Sequence, residues 1–254
     1  MKKILLVSIL IISLPLTVAC NSISNADTVS GELSTPLVNS IVVEDSNANN
    51  AAAANNASTV NAILSEEEIS DLLFMREEEK LAHDVYSYLY EQWGMNVFQN
   101  IANSEQTHTT SVLALLNQYG ISDPVEGLNT GQFHNTDLQD LYNQLTAQGS
   151  VSLADAIKVG AAIEEIDILD LQEAQTHTGQ ADILLVYENL LQGSYNHLRA
   201  FANTLRQQTG ETYQPQYLSP EEYQAIIDGT MGSGMGNSSQ GQPGGKGQGN
   251  PNRN

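Results

Sequence analysis

The chain has 254 residues and sets 30 Asp+Glu against nine Lys+Arg, a formal charge of −21. Acid spread along the whole length repels nucleic acid and anionic lipid surfaces, so polyanion-binding functions are excluded. The single cysteine, Cys20, excludes an intramolecular disulfide.

Met1-Lys-Lys is a short basic start, and Ile4 to Val18 is an apolar run ending at Ala19-Cys20. The run is short for a bilayer span, which takes about 20 residues. Its layout is that of a secretory signal. The cysteine directly after a small residue resembles the bacterial lipoprotein signal, in which that cysteine receives lipid and becomes the mature N-terminus. Thr17 departs from the leucine usual three places before it. The expectation is an exported lipoprotein, anchored to a membrane of the bacterial cell envelope through Cys20. Residues 1–20 are then the signal segment. Residues 21–62, rich in Ser, Asn, Ala, Thr and Val without an aromatic, read as a disordered tether. Residues 63–228 form the folded domain, and the Gly/Asn-rich residues 229–254 a disordered tail.

The first helix starts at Ser65, with Glu68 three places on as in a capping box. Its stripe runs through Ile69, Leu72, Arg76, Glu79, Ala82–His83, Tyr86 and Leu89–Tyr90, and it stops near Gly94. A second helix runs from about Val97 to Tyr119, with Ile101, Glu105, His108, Val112 and Leu115–Leu116 on one side and Gly120 as terminator. The segment 121–135 reads as a loop. Thr136 is placed to cap a short helix through Gln148. Ser152 caps a third long helix, with Ala156, Gly160, Ile163, Glu164, Asp167 and Leu171 on one face. The fourth follows Gly179, with Leu185–Val186, Asn189, Gly193–Ser194, His197 and Phe201 as its stripe. A last short helix opens at Pro220. The connections between long helices run short, long, short. A helix of ~25 residues is ~37 Å long, so the long connection can cross the whole assembly. The pattern predicts an all-α fold, an antiparallel four-helix bundle with one long crossover between helices two and three and short extra helices.

The chemistry sits on those stripes. Glu105 and His108 are three residues apart, so both reach one centre from one face. A buried carboxylate is costly unless paired or metal-bound. Glu77, Glu78 and Glu79 form a run, and a charge run is usually a solvated face. Successive residues turn by about 100°, so the three cannot all point outward. Glu79 lies in line with Leu72, Arg76 and Tyr86, and Glu78 is the alternative. Glu164 and Asp167 repeat the three-residue spacing, and Glu165 and Asp170 fall nearer the polar edge. His197 stands on the fourth helix. Arg76 and His83 are candidates to steady the ligands from outside, His134 lies in a loop, and His177 sits near a helix end. Four helices that each bring carboxylate or imidazole inward supply what a metal pair needs.

Met75-Arg-Glu-Glu-Glu-Lys-Leu-Ala with Asp84-Val-Tyr86, Trp93-Gly94, Ser104-Glu-Gln-Thr-His108, Ile163-Glu-Glu with Asp167, and Gly193-Ser-Tyr-Asn-His-Leu-Arg-Ala-Phe201 resemble the ferritin-like family described as domain of unknown function 2202. The resemblance spans about Leu64 to Arg206. Similarity to the wider ferritin and rubrerythrin group implies a carboxylate-bridged di-iron site. In that group the first-helix ligand lies seven residues before a tyrosine, which selects Glu79 through Tyr86. Glu105 and His108 match the second-helix Glu-x-x-His, Glu164 matches the third-helix glutamate, and Asp167 resembles an additional acid of rubrerythrin-like members. One departure stands out. The wider group has a second Glu-x-x-His on the fourth helix, where this chain has Ser194-Tyr-Asn-His197. Asp167, from the neighbouring helix, is the candidate replacement.

Carboxylate with imidazole suits iron or manganese and also admits zinc. The expectation is a centre of two iron ions held by Glu79, Glu105, His108, Glu164, Asp167 and His197. It would react with oxygen or peroxide or oxidise Fe(II). The alternatives are a metal-scavenging lipoprotein without turnover, and a metal-free helical scaffold. Tyr86 is read as core packing. With no rubredoxin-like cysteine cluster, an external donor supplies electrons unless Fe(II) is itself the substrate. The expected partners are metal ions, that donor and the membrane under the lipid anchor; an oligomer is compatible with the pattern.

Overall fold

The computed structural model describes residues 63–231. The lipidation at Cys20, the signal segment and tether of residues 1–62, and all but the start of the tail lie outside the described residues.

Among the described residues the fold is all-α, with six helices and no strand. They are α1 (Glu66–Trp93), α2 (Asn96–Tyr119), α3 (Thr136–Gly149), α4 (Leu153–Thr176), α5 (Ala181–Thr209) and α6 (Pro220–Ile227). None is long and apolar enough to cross a membrane. The boundaries follow from local chemistry. The Ser65 side chain accepts the Glu68 N–H while the Glu68 carboxylate accepts the Ser65 N–H, which closes the predicted capping box at α1. Such a cap is worth about 1 kcal/mol. Ser219 and Glu222 repeat it at α6. Gly94 and Gly120 end α1 and α2 at φ 64° and 69°, a left-handed conformation that glycine, lacking a Cβ, adopts without steric cost. One cap differs from expectation. Asn135, not Thr136, caps α3, because its side-chain oxygen accepts both the Asp137 and Leu138 N–H.

A join of Gly94 and Met95 folds α2 back along α1, and His177–Gln180 does the same for α5 along α4. These two pairs also meet each other, α1 against α4 and α2 against α5, while α3 bridges α1 and α4. The core runs through the middle of this packing. Phe201 lies on the bare backbone of Gly160, where an added Cβ would come within 2.6 Å of its ring. It meets Tyr86 at 5.2 Å and Phe98 at 5.8 Å between centroids, so one aromatic side chain joins α1, α2, α4 and α5.

Two stripes need correction. On α5, Leu185 and Asn189 are exposed, and the buried face is Ile183, Tyr187, Leu190–Leu191, Ser194–Tyr195, His197–Leu198 and Phe201. Over the first two turns the expected face is out of register, because Leu185–Val186 is as apolar as the true face. On α1, Glu77, Glu78 and Glu79 are all buried. No solvated face exists there, because α1 is covered by α2, α3 and α4 together.

Some of these buried acids are structural. Glu77 accepts the backbone N–H of His134 and Asn135, which ties the crossover loop to α1. Glu165, expected at the polar edge, is completely buried. It accepts the Tyr213 hydroxyl at 2.6 Å and the backbone N–H of Gln216, Tyr217 and Leu218 at 2.7–2.9 Å, and so straps the segment after α5 onto α4. Glu165→Gln would turn an amide group toward those donors. Leaving buried donors unmatched is expected to cost about 3 kcal/mol. Urea unfolding measures the loss, and hydrogen exchange should speed up first at residues 216–218.

Candidate metal centre

A second set of buried acids lacks that backbone support. Glu79 from α1, Glu105 from α2, and Glu164 and Asp167 from α4 are each less than a tenth exposed, as are His108 from α2 and His197 from α5. Among the described residues no lysine or arginine pairs with any of these four carboxylates. The helical period brings them together. Glu105 and His108 share a face one turn apart, Glu164 and Asp167 do likewise, and the close packing of the two helix pairs makes those faces converge.

The donor atoms form two groups with one shared member. Glu79, Glu105 and His108 offer atoms that lie within 4.8 Å of one another, and so do Glu105, Glu164 and His197. His108 Nδ1 is 2.7 Å from Glu105 Oε2 and 3.3 Å from Glu79 Oε2. His197 Nδ1 is 2.8 Å from Glu105 Oε1 and 3.4 Å from Glu164 Oε2. Glu105 therefore turns one oxygen to each imidazole, and the rings stand 5.5 Å apart between centroids. The contacts are close but misaligned as hydrogen bonds. Nδ1 of both histidines, Glu79 Oε1 and Glu105 Oε1 are buried without a hydrogen-bond partner. The ligand atoms of each group are thus close neighbours whose hydrogen-bonding capacity is left unmet. Unmet buried polar atoms are rare in folded proteins, and this donor set could hold divalent cations.

Neighbours fix the ligands' directions. The Tyr86 hydroxyl donates to Glu164 Oε1 at 2.5 Å. His197 Nε2 lies 3.0 Å from Ser104 Oγ, which leaves Nδ1 facing the carboxylates. Ser194, where the expected pattern has glutamate, donates its hydroxyl to Asp167 Oδ2, and Asp167 Oδ1 has no partner. Asp167 belongs to neither three-residue group.

Electrostatics match this geometry. Burial alone would raise Glu105, but the His108 and His197 imidazoles beside it bring it down to about 2. Burial would lower both histidines. Glu105 and Glu79 instead push His108 up to about 11, and Glu164 with Glu105 pushes His197 up to about 10. Asp167 rises to about 8 through burial and then the charge of Glu164. Glu79 is raised by burial first and by Asp167 next, and Glu164 is raised chiefly by burial.

The remaining candidates lie elsewhere. Arg76 forks onto Asp123 and donates to Thr109, so it ties α1 to α2 and the loop instead of serving the acids. His83 pairs with Asp84 at 2.9 Å. His134 gives its backbone N–H to Glu77. His177, the C-cap of α4, lies 2.8 Å from Asp71.

One residue the ligand pattern did not single out is Gly193. A Cβ there would sit 2.5 Å from His108 Cε1 and 2.6 Å from Nε2. Gly193→Ala should favour the helix by up to about 1 kcal/mol, yet it must displace the imidazole. The expected result is retained helicity with at least about ten-fold weaker cation binding, about 1.4 kcal/mol. Circular dichroism and a Mn(II) titration read the two effects separately.

Residues 68–230 match the family described as "Uncharacterized protein domain (DUF2202)". The chain is similar to the uncharacterized protein MJ0754 of Methanocaldococcus jannaschii, 49% identical over 172 residues, which covers 68% of this chain and 92% of that protein. The crystal structure of hypothetical protein MJ0754 superposes with a TM-score of 0.65 at 49% identity, over 68% of this chain and 98% of that one. The chain belongs to the DUF2202 family.

Proposed function

We propose that this member of the DUF2202 family is a ferritin-like four-helix di-metal protein whose centre takes two iron ions and works on oxygen, peroxide or Fe(II). The observation that carries the reading is the sharing of Glu105 between two three-donor groups, each completed by one histidine and one further glutamate. Four-helix proteins of the ferritin-like class hold metal pairs with inward carboxylates and Glu-x-x-His steps. Mixed oxygen and nitrogen donors suit iron and manganese and also admit zinc.

Glu79 with His108 would hold one ion, Glu164 with His197 the other, and Glu105 both. Asp167, held by Ser194, would give up its proton to bound cations and supply a fourth negative charge beside the centre, which balances a divalent pair. Iron bound there would supply one-electron exchange with oxygen or peroxide. The protein's part is to keep the donors dry and pre-oriented, through the Tyr86–Glu164 and Ser104–His197 contacts. In this reading Cys20, outside the described residues, anchors the chain to a cell-envelope membrane, and electrons come from an external donor or from Fe(II).

Stopped-flow absorbance tests the reaction. Protein loaded anaerobically with two Fe(II) ions should oxidise faster than free Fe(II) on mixing with oxygen or peroxide. A rate equal to that of free Fe(II), in protein shown to hold both ions, would leave metal storage or scavenging as the function.

A further inference from the structure

We propose that residues 211–231 act as a positioning strap, whose ties to α4 and α5 hold Glu164 and His197 at the spacing one cation needs. This role rests on the reading of the centre as a cation site, and it concerns one of the two positions.

The strap follows α5 and includes α6, which packs on α5. Its ties are spread along its length. Glu211 pairs with Lys158 of α4 at 2.5 Å. The Tyr213 hydroxyl and the Gln216, Tyr217 and Leu218 N–H groups all donate to Glu165 of α4. Tyr213 also meets Tyr223 of α6 at 5.8 Å between centroids, which joins the early part of the strap to the late part. Arg199 of α5 donates from Nε to the Ile226 carbonyl at 2.6 Å and from Nη2 to the Met231 carbonyl at 2.7 Å.

Two of these anchors stand beside donors of the centre. Glu165 follows Glu164 directly, and Arg199 lies two places after His197. Successive helix residues turn by about 100°, so Glu164 faces inward while Glu165 faces the strap. One turn of α4 is thereby held from both sides: Tyr86 donates to Glu164 within, and the strap donates to Glu165 without. Glu164 and His197 come from two different helices, and the strap fastens those helices together at the turns that carry them. Glu79 and His108 stand on α1 and α2, and none of these ties reaches those helices. Supporting contacts set how well ligands meet a metal, and small displacements weaken binding. The strap should therefore govern one cation and spare the other. A strap that only adds stability to the fold would affect both positions equally or neither.

Mn(II) binding to the full-length chain in about 0.15 M salt, where loose surface attraction is screened, separates these outcomes. Tyr213→Phe with Arg199→Gln loosens the strap at both anchors and leaves every donor of the centre in place. Combined with His108→Ala, which leaves the Glu164–His197 position, it should weaken the remaining ion at least about ten-fold. Combined with His197→Ala, which leaves the Glu79–His108 position, it should change affinity by less than about two-fold. Equal weakening in both backgrounds, weakening of the Glu79–His108 ion alone, or none in either would overturn the proposal. Should the paired substitutions abolish the circular-dichroism signal, Tyr213→Phe alone decides by the same comparison. A wild type that binds no Mn(II) would instead refute the centre itself, and with it the strap's role there.

Discussion

Glu105→Gln is expected to remove both cations of the centre at once, whereas His108→Ala and His197→Ala each remove one. The asymmetry follows from the two donor groups, which have Glu105 in common and nothing else. An amide keeps the size and shape of the side chain but loses its charge, and it offers one oxygen where two imidazoles each face one. Each position would fall to one carboxylate and one histidine, and affinity should drop at least about a hundred-fold, or about 2.7 kcal/mol. The helices should persist, because Glu105 anchors no backbone group, in contrast to Glu165. Metal content by elemental analysis after anaerobic loading with Fe(II), together with circular dichroism, reads both parts. A Glu105→Gln protein that retains one ion would mean that the two groups act independently.

The metal-free protein should lose thermal stability as pH rises from about 5 to 8, and cations should restore it most strongly at the upper end. The signs can be followed group by group. Asp167 goes from 3.8 to about 8 in the folded state, so its contribution is complete below 3.8 and disappears as pH climbs to 8. His108 and His197 rise from 6.5 to about 11 and about 10, and theirs declines from pH 6.5 upward. Glu79 and Glu164, raised first by burial, act in the same direction. Glu105 works the other way. Lowered from 4.5 to about 2, it stabilises above pH 4.5 and loses that effect as pH falls toward 2. The metal-free optimum therefore lies near pH 5. A cation must displace the imidazole protons, so binding strengthens with pH. One ion at a thousand times its Kd adds about 4 kcal/mol, which is roughly 8–16 °C in Tm for a domain of this size. Differential scanning calorimetry with and without Mn(II) at pH 5.5 and 8 measures it. A gain independent of pH, or a metal-free Tm that rises toward pH 8, would show that protons and cations do not compete at this site.

Much of this is legible in the sequence, for definable reasons. Helix starts are local: Ser65 and Glu68, Ser152, and Ser219 with Pro220 act on groups within a turn of themselves. The inward stripe on α2 is equally readable, since Ile101, Glu105, His108 and Val112 recur at the three- and four-residue spacing of one helix face. The proximity of Glu79, Glu105, His108, Glu164 and His197 follows from such stripes once the short joins force the helices together. What depends on distant chain is not legible. Glu165 is buried because residues 213–218 return to it, and nothing within a turn of it announces that contact. Glu77 and Glu78 look solvated in the run Glu77–Glu79 until α3 and α4 cover α1. Leu185 looks like core until the register of α5 is fixed from its far end, at Phe201. Ser194 reads as a missing ligand, yet in place it holds Asp167, a relation between two helices that neither segment carries alone.

The central claim is that Glu105 lies between two cations. Crystals of protein loaded with Fe(II), with anomalous data collected on both sides of the iron edge, test it most directly. Two iron peaks are predicted, one beside Glu79 and His108 and the other beside Glu164 and His197, with the Glu105 carboxylate contacting both. No peak among these residues, or a single iron bound without Glu105, would contradict the account.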